Sequence, residues 1–161
     1  MGKSGKIVVS GAFRGISHLN LDPKGRLSMP AKYRDEIMDC CDGNLIMTVD
    51  FDLCLLLYPI EEWLPIEKNI AALPSLDKKA RALKRFLIGY ATDVTMDKNG
   101  RLLVPPPLRE FAKLDKQTVL IGQGSKFEIW DLELWQKNTE VCIEEKINKD
   151  DLIGDLGTLS F

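Results

Sequence analysis

The sequence predicts a β-rich α+β fold made of two similar halves with flanking helices, and three observations carry that expectation. A turn motif is written twice, as Asp22-Pro23-Lys24-Gly25-Arg26 and as Asp97-Lys98-Asn99-Gly100-Arg101, 75 residues apart. Its surroundings repeat in register. Leu19 and Leu21 precede the first copy on alternate positions and Val94 and Met96 precede the second, while Pro30 with Arg34, and Pro105 with Arg109, follow. Each half then continues into two short apolar runs and a helical pattern. Self-similarity at a fixed offset marks an internal duplication.

The residue types of the motif have a local reason. Asp at the first position, Pro at the second and Gly at the fourth suit a type I β-turn, in which Asp22 accepts a turn amide and Gly25 tolerates positive φ. Asp97 and Gly100 repeat the arrangement, with Asn99 in place of the first copy's Lys24. Flanking alternation makes each copy a tight hairpin, Ser17–Leu21 with Arg26–Met29 and its counterpart over 93–104. The arginine then follows the turn and projects from the tip. A turn needs Asp and Gly but does not need Arg. An incidental cation explains one copy; two copies bring a functional reading level with it.

In chain order, residues 1–11 form a basic leader with an Ile7-Val8-Val9 patch, and the folded part begins at Phe13-Arg14-Gly15. The first half spans 12–74. Pro30 suits a first helical turn, Ala31–Met38 reads as a short helix burying Tyr33 and Ile37, and Leu45–Val49 and Leu53–Tyr58 read as strands. From Pro59 a helix turns Trp63, Ile66 and Ile70 inward, with Pro65 either in its first turn or kinking it. Residues 75–91 form a linker helix bearing Lys78, Lys79, Arg81, Lys84 and Arg85, with Ser75 as a candidate N-cap. Its basic face is either solvated or an additional contact to nucleic acid or a subunit. The second half, 92–147, replays the first: Pro105-Pro106-Pro107 opens helix Leu108–Lys113, strands Val119–Ile121 and Phe127–Trp130 flank a glycine-rich turn, and Asp131 caps the last helix. Trp135 corresponds to Trp63 as a core anchor. Residues 148–161 form a tail in which Leu152, Ile153 and Leu156 are available for docking.

Composition narrows the function. The 161 residues are 45% hydrophobic and 29% charged, an ordinary globular balance. No apolar run approaches a membrane span and no signal-peptide pattern opens the chain, so a cytoplasmic protein is expected. Cys40, Cys41, Cys54 and Cys142 show no C-x-x-C spacing, and the single histidine, His18, has no evident partner; structural thiols and no metal are expected. Neither a phosphate loop nor a nucleophile–base constellation supports an enzyme, a cofactor or a small-molecule substrate. Net charge is −2, but its distribution is segregated. Residues 1–38 carry a balance of +4 and 76–113 one of +5, against −6 for 39–75 and −5 for 114–161. Both motifs lie in basic quarters. Either those quarters share a cationic face, or opposite quarters neutralise one another within the fold.

These residues carry a family resemblance. Phe13-Arg14-Gly15, Asp22 through Pro30 with Tyr33-Arg34, Leu55-Leu56-Leu57-Tyr58-Pro59 with Trp63, Asp97 through Pro105, and Phe127-Glu128-Ile129-Trp130-Asp131 together resemble the MraZ transcriptional regulators. The resemblance runs from about residue 12 to about 145, and a duplicated D-x-x-G-R in a chain of this length is specific. It implies a pair of AbrB-like (SpoVT-AbrB) half-domains interlocked as a double-split, swapped-hairpin β-barrel. It also implies assembly into a homo-oligomeric ring and binding to double-stranded DNA at tandem promoter repeats. By position, Arg26 and Arg101 become the expected DNA contacts with Lys24 supporting, and Arg14 and Lys32 add phosphate contacts. Asp22, Gly25, Asp97 and Gly100 build the turns.

Two departures matter: Asn99 replaces Lys24, and the proline run replaces Ala31-Lys32. The second half is therefore expected to contribute less to DNA and more to packing. The implied role is repression of the bacterial division and cell-wall gene cluster, its own gene included, by a nucleoid-associated protein. The alternative from another class is a ring-forming scaffold that recruits proteins and binds no specific DNA.

Overall fold

The structure, a computed structural model, describes residues 13–145. The leader with Ile7-Val8-Val9 and the tail with Leu152, Ile153 and Leu156 lie outside the described residues. Eight strands and five α-helices follow in the order β1 (Phe13–Asn20), β2 (Arg26–Ser28), α1 (Ala31–Cys41), β3 (Asn44–Val49), β4 (Leu55–Pro59), α2 (Ile60–Ala71), α3 (Lys78–Leu83), β5 (Thr92–Thr95), β6 (Arg101–Leu103), α4 (Pro106–Phe111), β7 (Gln117–Gly124), β8 (Phe127–Asp131) and α5 (Leu132–Glu144). A turn of π-helix, Lys84–Ile88, continues α3. The fold is α+β with antiparallel strands throughout, in a six-stranded sheet of order β1-β7-β8-β4-β3-β5 and a two-stranded ribbon, β2-β6.

The local hairpins expected around each motif do not form. β1 pairs along its whole length with β7, from Phe13 opposite Gly124 to Asn20 opposite Gln117. β5 pairs with β3. The short arms after the two turns pair instead with each other, Arg26 opposite Leu103, Leu27 opposite Leu102 and Ser28 opposite Arg101. The Gly25 carbonyl accepts the Val104 amide at 2.8 Å and the Gly100 carbonyl accepts the Met29 amide at 2.7 Å, which lengthens the ladder at both ends. A three-residue arm folded on its own partner strand would leave its apolar side without a facing layer. Exchange puts Leu27 against Leu102 and buries both, 2% and 1% exposed, in the main core with Met29 and Val104.

Alternation explains why β3 and β4 are apolar at nearly every position. Leu45, Met47, Leu55 and Leu57 face the main core, while Ile46, Leu56 and Tyr58 join Trp63 of α2 in a second cluster on the other side. A sheet covered on both faces reads as a continuous apolar run. Trp63 is 1% exposed, as expected for an anchor, and Pro65 lies inside α2. Trp135 differs. It belongs to a separate compact unit that begins at Leu132, and its helix α5 contains no buried residue. The buried tryptophan of the second half is Trp130 in β8.

The linker helix also departs from expectation. Asp77, not Ser75, caps α3, accepting the Lys79 amide at 2.9 Å. Ser75 instead accepts the Lys84 ammonium at 3.1 Å, and Arg81 donates to the carbonyls of Ser75 and Leu76. These cations hold the preceding loop. The π turn, closed by Gly89 N–H to the Lys84 carbonyl, turns the Leu87 carbonyl toward the buried Thr48 hydroxyl, which donates to it at 2.7 Å. α4 begins at Pro106 and ends where Lys113 adopts positive φ.

Candidate nucleic-acid interface

Each turn is built by its aspartate. In the first copy the Gly25 amide donates to the Asp22 carbonyl at 2.9 Å, the i-to-i+3 bond that often closes a β-turn. Asp22 Oδ1 accepts the Lys24 amide at 2.9 Å and the Arg26 amide at 2.8 Å, and Oδ2 takes Arg26 Nε at 2.8 Å. The second copy repeats this. Asp97 Oδ1 accepts the amides of Asn99 and Arg101 at 2.8 and 2.9 Å, and Oδ2 takes Arg101 Nε at 3.2 Å. The Arg26 and Arg101 amides hold the Asp22 and Asp97 carboxyls below the ordinary carboxylate value, with the guanidiniums adding to the effect.

The guanidiniums therefore do not project freely from a hairpin tip. Each is folded back through Nε onto the aspartate four residues earlier, and its two Nη groups take no hydrogen bond among the described residues. Nη1 and Nη2 form the edge that can pair bidentately with a guanine or a phosphate. Fixing Nε removes side-chain freedom before any ligand arrives, which lowers the entropy cost of binding.

The ribbon brings the two arginines together. Antiparallel register places Arg26, Ser28, Arg101 and Leu103 on one face and Leu27 with Leu102 on the other, buried face. Arg26 and Arg101 are diagonal neighbours across the strands, with Cα atoms about 7–8 Å apart. Lys24 is exposed within the first turn. Arg14 and Lys32 form a second group around Tyr33: the Tyr33 hydroxyl donates to the Arg14 carbonyl, and Lys32 Nζ lies 4.9 Å from the Tyr33 ring centroid. Arg14 is near the start of β1, separated from Asn20 by about 20 Å of extended strand.

Two residues to which the sequence assigns no role hold the turns from outside. Arg34 of α1 donates through Nε to the Met29 carbonyl at 2.8 Å and lies against Gly100 of the other motif. Arg109 of α4 lies against Gly25. A Cβ built on Gly100 would stand 2.7 Å from Arg34 Cδ, and one on Gly25 would stand 2.8 Å from Arg109 Cζ. Each glycine also has positive φ, 85° for Gly25 and 79° for Gly100. Each half's helix thus clamps the other half's turn. The shared Pro-then-Arg spacing is the sequence signal for this role.

Metal-binding side chains meet at one place among the described residues, where Asp50, Cys54 and Glu128 converge. The Cys54 thiol donates to Asp50 Oδ2 at 3.7 Å, and Trp130 Nε1 donates to Glu128 at 2.9 Å. Burial, then the Glu128 and Asp50 charges, push the Cys54 thiol up and keep it protonated. Burial likewise raises Cys41 and pushes Cys40 up to about 12. None is an activated thiolate.

The duplication is also seen when the chain is compared with known proteins. The family described as "MraZ protein, putative antitoxin-like" matches twice, over residues 12–86 and 87–152. The chain is similar to the "Transcriptional regulator MraZ" of Thioalkalivibrio sulfidiphilus, with 49% identity over 83% of this chain and 89% of that protein. It is 54% identical to the protein of the same name from Nitrosomonas europaea, over 83% of this chain and 90% of the relative. The Halorhodospira halophila relative, also so named, is 49% identical over 92% of this chain and 99% of its own length. With both repeats matched and relatives this similar along most of their length, the chain belongs to the MraZ family.

Proposed function

We propose that this protein is a transcriptional regulator, not an enzyme, that binds promoter DNA sequence-specifically through the β2–β6 ribbon. The observation that carries the reading is the pair of Asp-held arginines, Arg26 and Arg101, side by side on the ribbon's solvent face. The major groove of B-DNA admits a two-stranded β-ribbon, and arginine paired bidentately with guanine is its commonest specific contact. The family name of the relatives supports the regulatory role. Lys24 contacts phosphate beside the turn, and Arg14 and Lys32 contact phosphate away from it. Arg26 with Lys24 is the stronger reader, Arg101 with Asn99 the weaker.

The two SpoVT-AbrB-like halves, 12–74 and 92–147 about the 75–91 linker, close into a double-split barrel, and protomers join as a ring on tandem repeats. One ribbon offers few phosphate contacts; many ribbons on many repeats raise avidity by roughly 10²–10⁴. The outcome is repression of the division and cell-wall cluster, its own gene included, by a cytoplasmic, nucleoid-associated protein. No helix among the described residues is long and apolar enough to cross a membrane.

A salt titration of binding to a fragment from upstream of the protein's own gene tests the function. Affinity is expected to fall linearly in log–log form with a steep slope, while footprinting at low salt shows protected short repeats at regular spacing. A scaffold gives no saturable complex even at low salt, and that outcome would reject DNA reading.

A further inference from the structure

The ribbon has a local symmetry that one position breaks. The duplication maps Arg26 onto Arg101, Leu27 onto Leu102 and Ser28 onto Leu103. Because Leu27 pairs with Leu102, a half-turn about that pair exchanges the two arms. The buried pair is leucine on both sides and the reading pair is arginine on both sides. At the remaining exposed position, Ser28 stands in one arm and Leu103 in the other.

Leu103 has no evident structural duty. It is 53% exposed on the face opposite the core, where Leu102 already supplies the apolar contact. It lies directly across from Arg26. Facing cross-strand residues have Cβ atoms about 4.5–5.5 Å apart, and stacked bases are about 3.4 Å apart along one strand. A base pair read by Leu103 therefore lies within one or two steps of the one read by Arg26. An aliphatic group in the major groove has one complementary feature, the C5 methyl of thymine, whereas a serine hydroxyl donates or accepts a hydrogen bond with any base edge.

We propose that Leu103 reads a thymine methyl next to the base read by Arg26, while Ser28 makes a polar contact beside Arg101. The ribbon then recognises a directional, non-palindromic step despite its near-symmetric backbone. This rests on the DNA-reading function proposed above, and it adds Leu103 and Ser28 as the residues that set orientation.

The probe is the same upstream fragment, made once with thymidine and once with deoxyuridine throughout, which removes every C5 methyl and preserves base pairing. Wild-type protein is expected to bind the deoxyuridine fragment about three- to fivefold more weakly for each thymine methyl that it reads. Leu103→Ser, at an exposed position, is expected to keep the wild-type Tm, to bind the thymidine fragment more weakly and to bind the two fragments equally. Equal wild-type affinity for both fragments would overturn the proposal. So would a Leu103→Ser protein that still distinguishes them, since the methyl would then be read elsewhere or through DNA shape. Arg26→Ala on the thymidine fragment separates the two levels. Its failure to bind alongside an indifferent Leu103 leaves DNA reading intact and removes only the methyl contact; its retention of binding removes the DNA-reading function itself.

Discussion

The two copies of the motif are alike where they touch the protein and differ where they face solvent. Asp22 and Asp97 bond the same amides and the same guanidinium nitrogen, and Gly25 and Gly100 accept the same cross-copy hydrogen bonds. Lys24 against Asn99, and Ser28 against Leu103, are exposed differences. The Arg–Asp bond is also tighter in the first copy, 2.8 against 3.2 Å. Interlocking arms must match each other to pair, whereas the face they present together is free to diverge. The exposed face of the ribbon is therefore one composite of two halves rather than two independent tips.

The buried face is the place to break the ribbon as a whole. Leu27→Ala and Leu102→Ala should each destabilise by about 2–5 kcal/mol in denaturant unfolding, and by similar amounts, because each removes half of one packed pair. A large difference between them would show that one arm is held by something other than its partner.

The two turn glycines meet different parts of their neighbours. Gly25→Ala meets the far end of Arg109, while Gly100→Ala meets the middle of Arg34, whose Nε is held by the Met29 carbonyl. Both incur positive-φ strain of about 1–2 kcal/mol. Gly100→Ala should cost more, about 2–4 kcal/mol in total, because Arg34 cannot swing aside without breaking its hydrogen bond. Thermal unfolding of the two variants decides the order, and equal costs would contradict the unequal clamps.

A smaller effect should separate the aspartates. Asp22→Asn and Asp97→Asn loosen the guanidinium but also remove a negative charge that repels phosphate, so the readout is the ratio of promoter to non-specific affinity. That ratio should fall about two- to fivefold, more for Asp22→Asn. Acid titration tests the same bonds. Both carboxyl pKa values lie below the ordinary 3.8, so their stabilisation is fully present above that pH and is lost as pH falls toward the folded-state values. Below pH 3.8 the Asp22→Asn/Asp97→Asn protein should lose stability less steeply than the wild type. The smallest effect concerns the thiols. Cys142 is exposed, while Cys40, Cys41 and Cys54 are partly or fully buried with raised pKa values. Iodoacetamide should label Cys142 first, with little change in DNA binding.

Much of this was legible in the residues. The duplication, the Asp-built turns, the short helix burying Tyr33 and Ile37 and the apolar strands β3 and β4 all follow from local spacing. The pairing was not. Alternation shows that Arg26–Met29 is a strand but not which strand it meets, and the nearest partner in sequence is the wrong one because a cross-copy partner buries Leu27 better. The roles of Arg34 and Arg109 stay hidden for the same reason, since each acts on the turn of the other copy. Correspondence with Trp63 puts Trp135 in the core, yet correspondence carries the residue type without its burial.

Arg26 and Arg101 are proposed to read DNA as one surface. The most direct test is fluorescence anisotropy of the labelled upstream fragment with Arg26→Ala, Arg101→Ala and the double variant, with the protein's mass in solution measured in parallel. The account predicts unchanged mass, loss of specific binding for Arg26→Ala, a weaker but clear defect for Arg101→Ala, and no specific binding for the double variant. Wild-type-like affinity in the double variant would contradict it.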